Sequence, residues 1–211
     1  MNSDGVDFTV AKTAVFWDIE DCPVPDGLNA VDATNNIKNA LKNAGFNGEV
    51  SIFAFGGTKK YLVGLNSNNE TEFHHFPQGD VNARRAATSG EIFSWLMDNN
   101  RQRTNLMMII GDTTDNIGLM IFLHDLVGAG YNLLTSQPPS YRSVPLHHSV
   151  STEWLWPDLG LGKDPVFKRG DPVLGKWEHF NGPAVNPKDH VDTDPEDDDP
   201  DLGTDLSLLF Q

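Results

Sequence analysis

Thr13-Ala-Val-Phe-Trp-Asp18 and Leu106-Met-Met-Ile-Ile-Gly-Asp112 decide the fold of this chain. Each is a short apolar run that stops on an acid. Continuous apolar runs of this length suit strands buried on both faces of a parallel sheet. Segments of helical period lie between them and around them. Ala33, Ile37, Ala40, Leu41 and Ala44 recur at helical spacing after Asp32, which reads as a helix N-cap, and Gly45 can end that helix.

Working outward, Val50 to Phe55 predicts a second strand, closed by Gly56-Gly57. A short helix is expected over residues 60–65. Thr71 to Phe76 predicts a third strand, less apolar and so nearer an edge. Ala83 to Asp98 predicts a helix through Ala86, Ala87, Ile92, Phe93, Trp95 and Leu96. Ile117 to Val127 predicts a helix apolar nearly all round, hence largely buried. Tyr131 to Thr135 predicts a fifth strand, and residues 149–156 a further strand or short helix. Strand and helix alternate throughout. That order predicts an α/β fold: a parallel sheet of about five strands, right-handed crossovers, and helices on both faces.

Composition limits what the chain can bind. The net charge is −15 over 211 residues, and residues 188–211 hold nine acids and one lysine, leaving −7 for the remainder. Composition therefore argues against a broad basic face for tight, nonspecific nucleic-acid binding, and any nucleic-acid contact must rest on a local patch or on metal ions. The expected organisation is a flexible lead-in over 1–11, a domain over 12–160, an extension over 161–187 and a disordered acidic tail over 188–211. Within that tail Leu206-Ser-Leu-Leu-Phe210 is an apolar exception. The longest apolar stretch, Leu119 to Val127, contains His124 and Asp125 and falls far short of the ~20 residues of a membrane span. No secretory pattern opens the chain. Cys22 is the only cysteine, which rules out internal disulfides and a multi-cysteine zinc site. An intracellular setting, cytoplasmic or nuclear, is the expectation.

In doubly wound sheets the site lies at the carboxyl ends of the strands, where strand order reverses. If the first and fourth strands are neighbours there, Asp18 and Asp112 enter one crevice, with Asp21 and Asp115 a short loop further on. Carboxylates brought that close stay ionised only with a cation between them. Oxygen ligands favour magnesium or manganese, and such an ion activates water and stabilises charge on a phosphoryl oxygen. The competing reading makes these acids turn and cap residues. Asp115, just before Asn116 and a helical run, fits a cap best. Arg84 and Arg85 stand at the head of the next helix near the same edge and are the best candidates for phosphate contact.

Lys12-Thr-Ala-Val-Phe-Trp-Asp-Ile-Glu-Asp-Cys-Pro-Val-Pro25 resembles the opening of NYN domains of the limkain type, a family found in many plant proteins, whose pattern reads F-W-D-I-E-N-C-P-V-P. Ile110-Gly-Asp112, Tyr131-Asn-Leu-Leu134, Gln137-Pro138 and Trp154-Leu-Trp156 resemble that family's later strands in the same order. The resemblance implies a PIN-like α/β fold, metal-dependent endonuclease activity on RNA with magnesium or manganese, and a part in RNA regulation. Peroxisomal association, known in the family, has no visible address here, since the chain ends Leu208-Leu-Phe-Gln211.

Carried over residue by residue, Asp18 matches the family's first metal-binding acid and Asp112 the first acid of its G-D-x-D-F motif. Here that motif reads Gly111-Asp-Thr-Thr-Asp115. Asp21 stands where the family has Asn. The family's D-x-x-D segment falls on Asn82 and Arg85. An arginine among metal ligands displaces or neutralises the cation, or contacts phosphate directly. Two readings follow: a ribonuclease, weakened, with Asp18, Asp112 and Asp21 catalytic and Asp18, Asp112 and Asp115 on the metal; or a silent domain that binds single-stranded or structured RNA, or a protein. His74-His75 and His147-His148 lack metal-site spacing, and Cys22 has no evident histidine partner. Trp154 and Trp156 read as core.

Overall fold

The computed structural model describes residues 5–57, 71–76, 81–113, 116–141 and 144–175. In chain order the elements are β1 (Thr13–Asp18), α1 (Ala30–Asn43), β2 (Val50–Gly56), β3 (Thr71–His75), α2 (Val81–Asp98), β4 (Asn105–Ile109), α3 (Ile117–Gly128), β5 (Asn132–Gln137), α4 (Val144–Ser149), β6 (Thr152–Leu155) and β7 (Phe167–Lys168). The strands form one sheet in the order β3-β2-β1-β4-β5-β6-β7. Every pairing is parallel except β6 with β7. The sheet is thus wider than the expected five strands. Residues 152–155 supply a sixth, and Phe167-Lys168 closes the edge antiparallel to it. Two residues carry too little hydrophobic pattern to announce a strand.

β1 is an interior strand, between β2 and β4, and all six of its residues are buried. Its alternation divides the core. Val15 and Trp17 join the cluster under α1, with Ile37, Leu41, Trp154 and Trp156. Ala14 and Phe16 join the cluster under α2 and α3, with Ile92, Trp95, Leu119 and Leu123. The two-residue period therefore turns Asp18 toward the α2 face, as for Phe16.

Three local expectations change. Asn29, not Asp32, caps α1: its side chain accepts from the Asp32 backbone N–H, and its amide donates to the Asp32 carboxylate at 2.7 Å. The pair is reciprocal, although the acid accepts from the side-chain amide of the cap and not from its backbone N–H as in a capping box, and Asp32 belongs to the first turn. Asn116 caps α3 by accepting from Leu119 N–H at 3.0 Å. And α3 is not buried all round. Leu119, Leu123 and Leu126 pack on the sheet while Ile117 and Ile121 are exposed, because one layer of helix covers that face and nothing described lies outside it. Phe93 on α2 is exposed for the same reason. The expected helix over 60–65, Asp115 and the acidic tail lie outside the described residues.

Candidate functional site

β1 pairs with β2 on one side and β4 on the other, so strand order reverses between β1 and β4. The crevice at their carboxyl ends is the candidate site. Asp18 is the last residue of β1 and is 3% exposed. Asp112 lies three residues beyond β4 and is exposed. Asp18 closes its strand and Asp112 follows the neighbouring one, at different depths.

The chain after Asp18 folds tightly back. Asp18 Oδ1 accepts from the backbone N–H of Glu20 at 3.0 Å and of Asp21 at 3.2 Å, the turn that short acidic side chains form. Cys22 N–H donates to the Asp18 carbonyl at 2.9 Å, and Trp17 Nε1 donates to the Cys22 carbonyl at 2.7 Å. This loop sets Asp21 against Gly111. A Cβ on Gly111 would stand 2.8 Å from both Cβ and Oδ2 of Asp21, so the close approach requires glycine. Gln137 Nε2 donates to the Gly111 carbonyl at 2.8 Å and fixes the β4 exit.

Two arginines of α2 meet these carboxylates. Arg84 Nε donates to Asp18 Oδ2 at 3.1 Å, and Arg84 Nη2 to Asp21 Oδ1 at 3.2 Å. Arg85 Nη2 donates to Asp21 Oδ2 at 2.7 Å. Both arginines are buried, at 3% and 5% exposure. They head the inward stripe of α2, which continues through Thr88, Ile92, Trp95 and Leu96. That helical period is the signal in the sequence for their burial. The family pattern sets Arg85 at an acid position, but nothing in the sequence announces that Arg84 bridges Asp18 and Asp21.

Two carboxylates and two guanidinium groups leave this cluster neutral. Burial, and after it the charge of Asp21, push the Asp18 carboxyl above its ordinary value, against the pull of Arg84. Burial, Asp18 and Asp21 push the Cys22 thiol well up, which leaves it no thiolate for nucleophilic work. Above the cluster opens a cleft of about 480 Å³ lined by Asp21, Val81, Asn82, Arg85, Asp112, Asn116 and Tyr141. The crevice thus brings together Asp21, Arg85 and Asp112 on its wall and buries Asp18 with Arg84 beneath.

Outside the crevice the remaining candidates are structural. His74 stacks on Phe55 at 5.0 Å, and exposed His124 lies 3.4 Å from Ser149 Oγ. Trp154 and Trp156 are core, with Trp156 packed on Trp17 at 5.4 Å.

A parallel sheet that gathers carboxylates at its switch point has the arrangement of a PIN-like, nuclease-type fold. A family model for the NYN domain matches residues 12–149, and the chain belongs to the NYN domain family. Comparison with curated proteins gives no match. Among solved structures, the chain is similar to a protein of unknown function from Vibrio parahaemolyticus, at 12% identity and a TM-score of 0.49, covering 75% of this chain and 98% of that one. NYN domains generally act on RNA and use divalent metals.

Whether this crevice suits such an ion is a question of donors. Magnesium or manganese asks for about six oxygen ligands carrying net negative charge. Asp18 Oδ2 and both carboxylate oxygens of Asp21 are each held by guanidinium N–H. Among the described residues no group of three or more His, Cys, Asp or Glu is placed to hold a metal. The donor set among the described residues does not fit a divalent cation. No helix among the described residues is long and apolar enough to cross a membrane.

Proposed function

We propose that this chain is an RNA-binding NYN domain in which two arginines have taken over the electrostatic role of the metal, so that it holds RNA without hydrolysing it. The observation that carries this reading is Arg84 bridging Asp18 and Asp21 in a buried position, with Arg85 on the second oxygen of Asp21. A metal entering there would have to displace two permanent cations from these carboxylates. Family membership supports RNA as the partner.

A second reading is a magnesium- or manganese-dependent endoribonuclease of the limkain type, with Asp18, Asp112 and Asp21 catalytic and Asp115 completing the metal set. It is favoured by Asp21 and Asp112 lining one cleft at the switch point.

One assay separates the two. The protein is incubated with labelled single-stranded RNA and manganese beside Asp18→Asn and Asp112→Asn variants, with binding and product length both recorded. Binding without product is expected. Cleavage by the parent that disappears in both variants would overturn the proposal in favour of the enzyme.

A further inference from the structure

The cleft above the neutral cluster has features that the ion pairs do not use. Arg85 is 5% exposed and lines the cleft, yet only its Nη2 is engaged by Asp21; its Nε is buried with no hydrogen-bond partner among the described residues. An unsatisfied N–H on a buried guanidinium is costly, and the edge of Arg85 that lines the cleft presents its charge to an anionic oxygen there, with the Nε–H just below the surface. The first turn of α2, through Val81 and Asn82, and the cap of α3, Asn116, border the same space, so two helix N-termini add positive potential there. Tyr141 stands on the rim, 46% exposed, as a ring on which a base can stack. Asn82 offers an amide donor and acceptor, and Asn116 its amide N–H, since its oxygen caps α3. The volume of about 480 Å³ is that of a small-ligand site, of the size to take one nucleotide unit.

We infer that this cleft seats one phosphate of single-stranded RNA on Arg85, without a metal ion, and holds the attached base against Tyr141. The inference rests on the RNA-binding reading above and names its recognition unit. It assigns Asp112 the opposite role from a metal ligand. On the rim of an anion site, its carboxylate weakens binding.

Binding of a fluorescein-labelled oligouridylate to the full chain in EDTA tests this, with uridine 5′-monophosphate and uridine as competitors. The monophosphate should compete at least about tenfold better than the nucleoside, the scale of one charge-assisted hydrogen bond. Arg85→Gln should lose about the same factor. Because that variant also breaks the Asp21 pair and can fail to fold, the exposed positions carry the test independently. Tyr141→Ala should weaken binding several-fold at an unchanged melting temperature, and Asp112→Asn should tighten it. Uridine competing as well as its monophosphate, or Asp112→Asn weakening the complex, would overturn the phosphate seat while leaving RNA binding intact. Absence of RNA binding, or cleavage with manganese, would overturn both.

Discussion

Replacing Arg84 by methionine isolates the interaction on which the functional reading depends. Methionine keeps most of the length and the apolar stem, and removes the charge. Asp21 retains Arg85 at 2.7 Å, but Asp18 is left with two backbone N–H groups on Oδ1 and no cation. Breaking a buried ion pair from one side costs about 3–5 kcal/mol, because the remaining charge stays desolvated. For a domain of this size that is a fall of roughly 6–20 °C in melting temperature, at ~2–4 °C per kcal/mol. The loss should depend on pH. The Asp18 carboxyl already lies above its ordinary value in the folded parent, so ionising it costs the fold stability. That contribution is intact below the ordinary carboxyl value and is lost as pH rises through the elevated one. Without Arg84 the folded value rises further. The variant should approach the parent at acid pH, where Asp18 is protonated, and fall away from it toward neutrality. Urea denaturation from pH 5 to 8 measures the difference. Adding Asp18→Asn to Arg84→Met should restore much of the stability, since no unpaired charge remains. A penalty under about 1 kcal/mol at pH 7, or one that is flat with pH and not rescued by Asp18→Asn, would refute the buried-pair argument.

Manganese at millimolar concentration should leave the parent's melting temperature unchanged; Asn82→Asp combined with Arg85→Asp, which rebuilds the family's acid spacing, should gain a manganese-dependent rise in melting temperature, equivalent to up to about 2.7 kcal/mol of stability at a hundredfold excess over Kd. Gly111→Ala should destabilise by about 1–3 kcal/mol in chemical denaturation, because its Cβ meets Asp21 at 2.8 Å. Cys22 should resist a disulfide reagent in the native protein and react only at the rate of unfolding, given its burial and its raised thiol value; rapid labelling under native conditions would contradict the packing of the Asp18–Cys22 turn.

Much of the architecture is legible in the sequence because it depends on local pattern. The apolar runs at residues 13–17 and 106–110 identify strands buried on both faces, and the alternation of strand and helix leaves few topologies. The stop on Asp18 and on Asp112 places both acids at the carboxyl edge. Resemblance to NYN domains adds the registration of Arg85 against a family acid. Less visible are features that depend on what packs outside an element. Exposure of Ile117, Ile121 and Phe93 follows from a single helical layer on that face. The choice between Asn29 and Asp32 as the cap of α1 is equally hidden, since both residue types suit an N-cap and only the turn geometry selects Asn29.

Strands, their burial and the edge at which the acids gather can be read from the chain alone, because a two-residue or 3.6-residue hydrophobic period is a local property. What Asp18 faces cannot. Arg84 lies 66 positions away, and its meeting with Asp18 depends on the rotation of α2 about its axis and on how closely that helix packs on the sheet. A carboxylate at the end of a buried strand needs a cation, and its own sequence neighbourhood does not say which one. In this fold the cation is a guanidinium from the neighbouring helix.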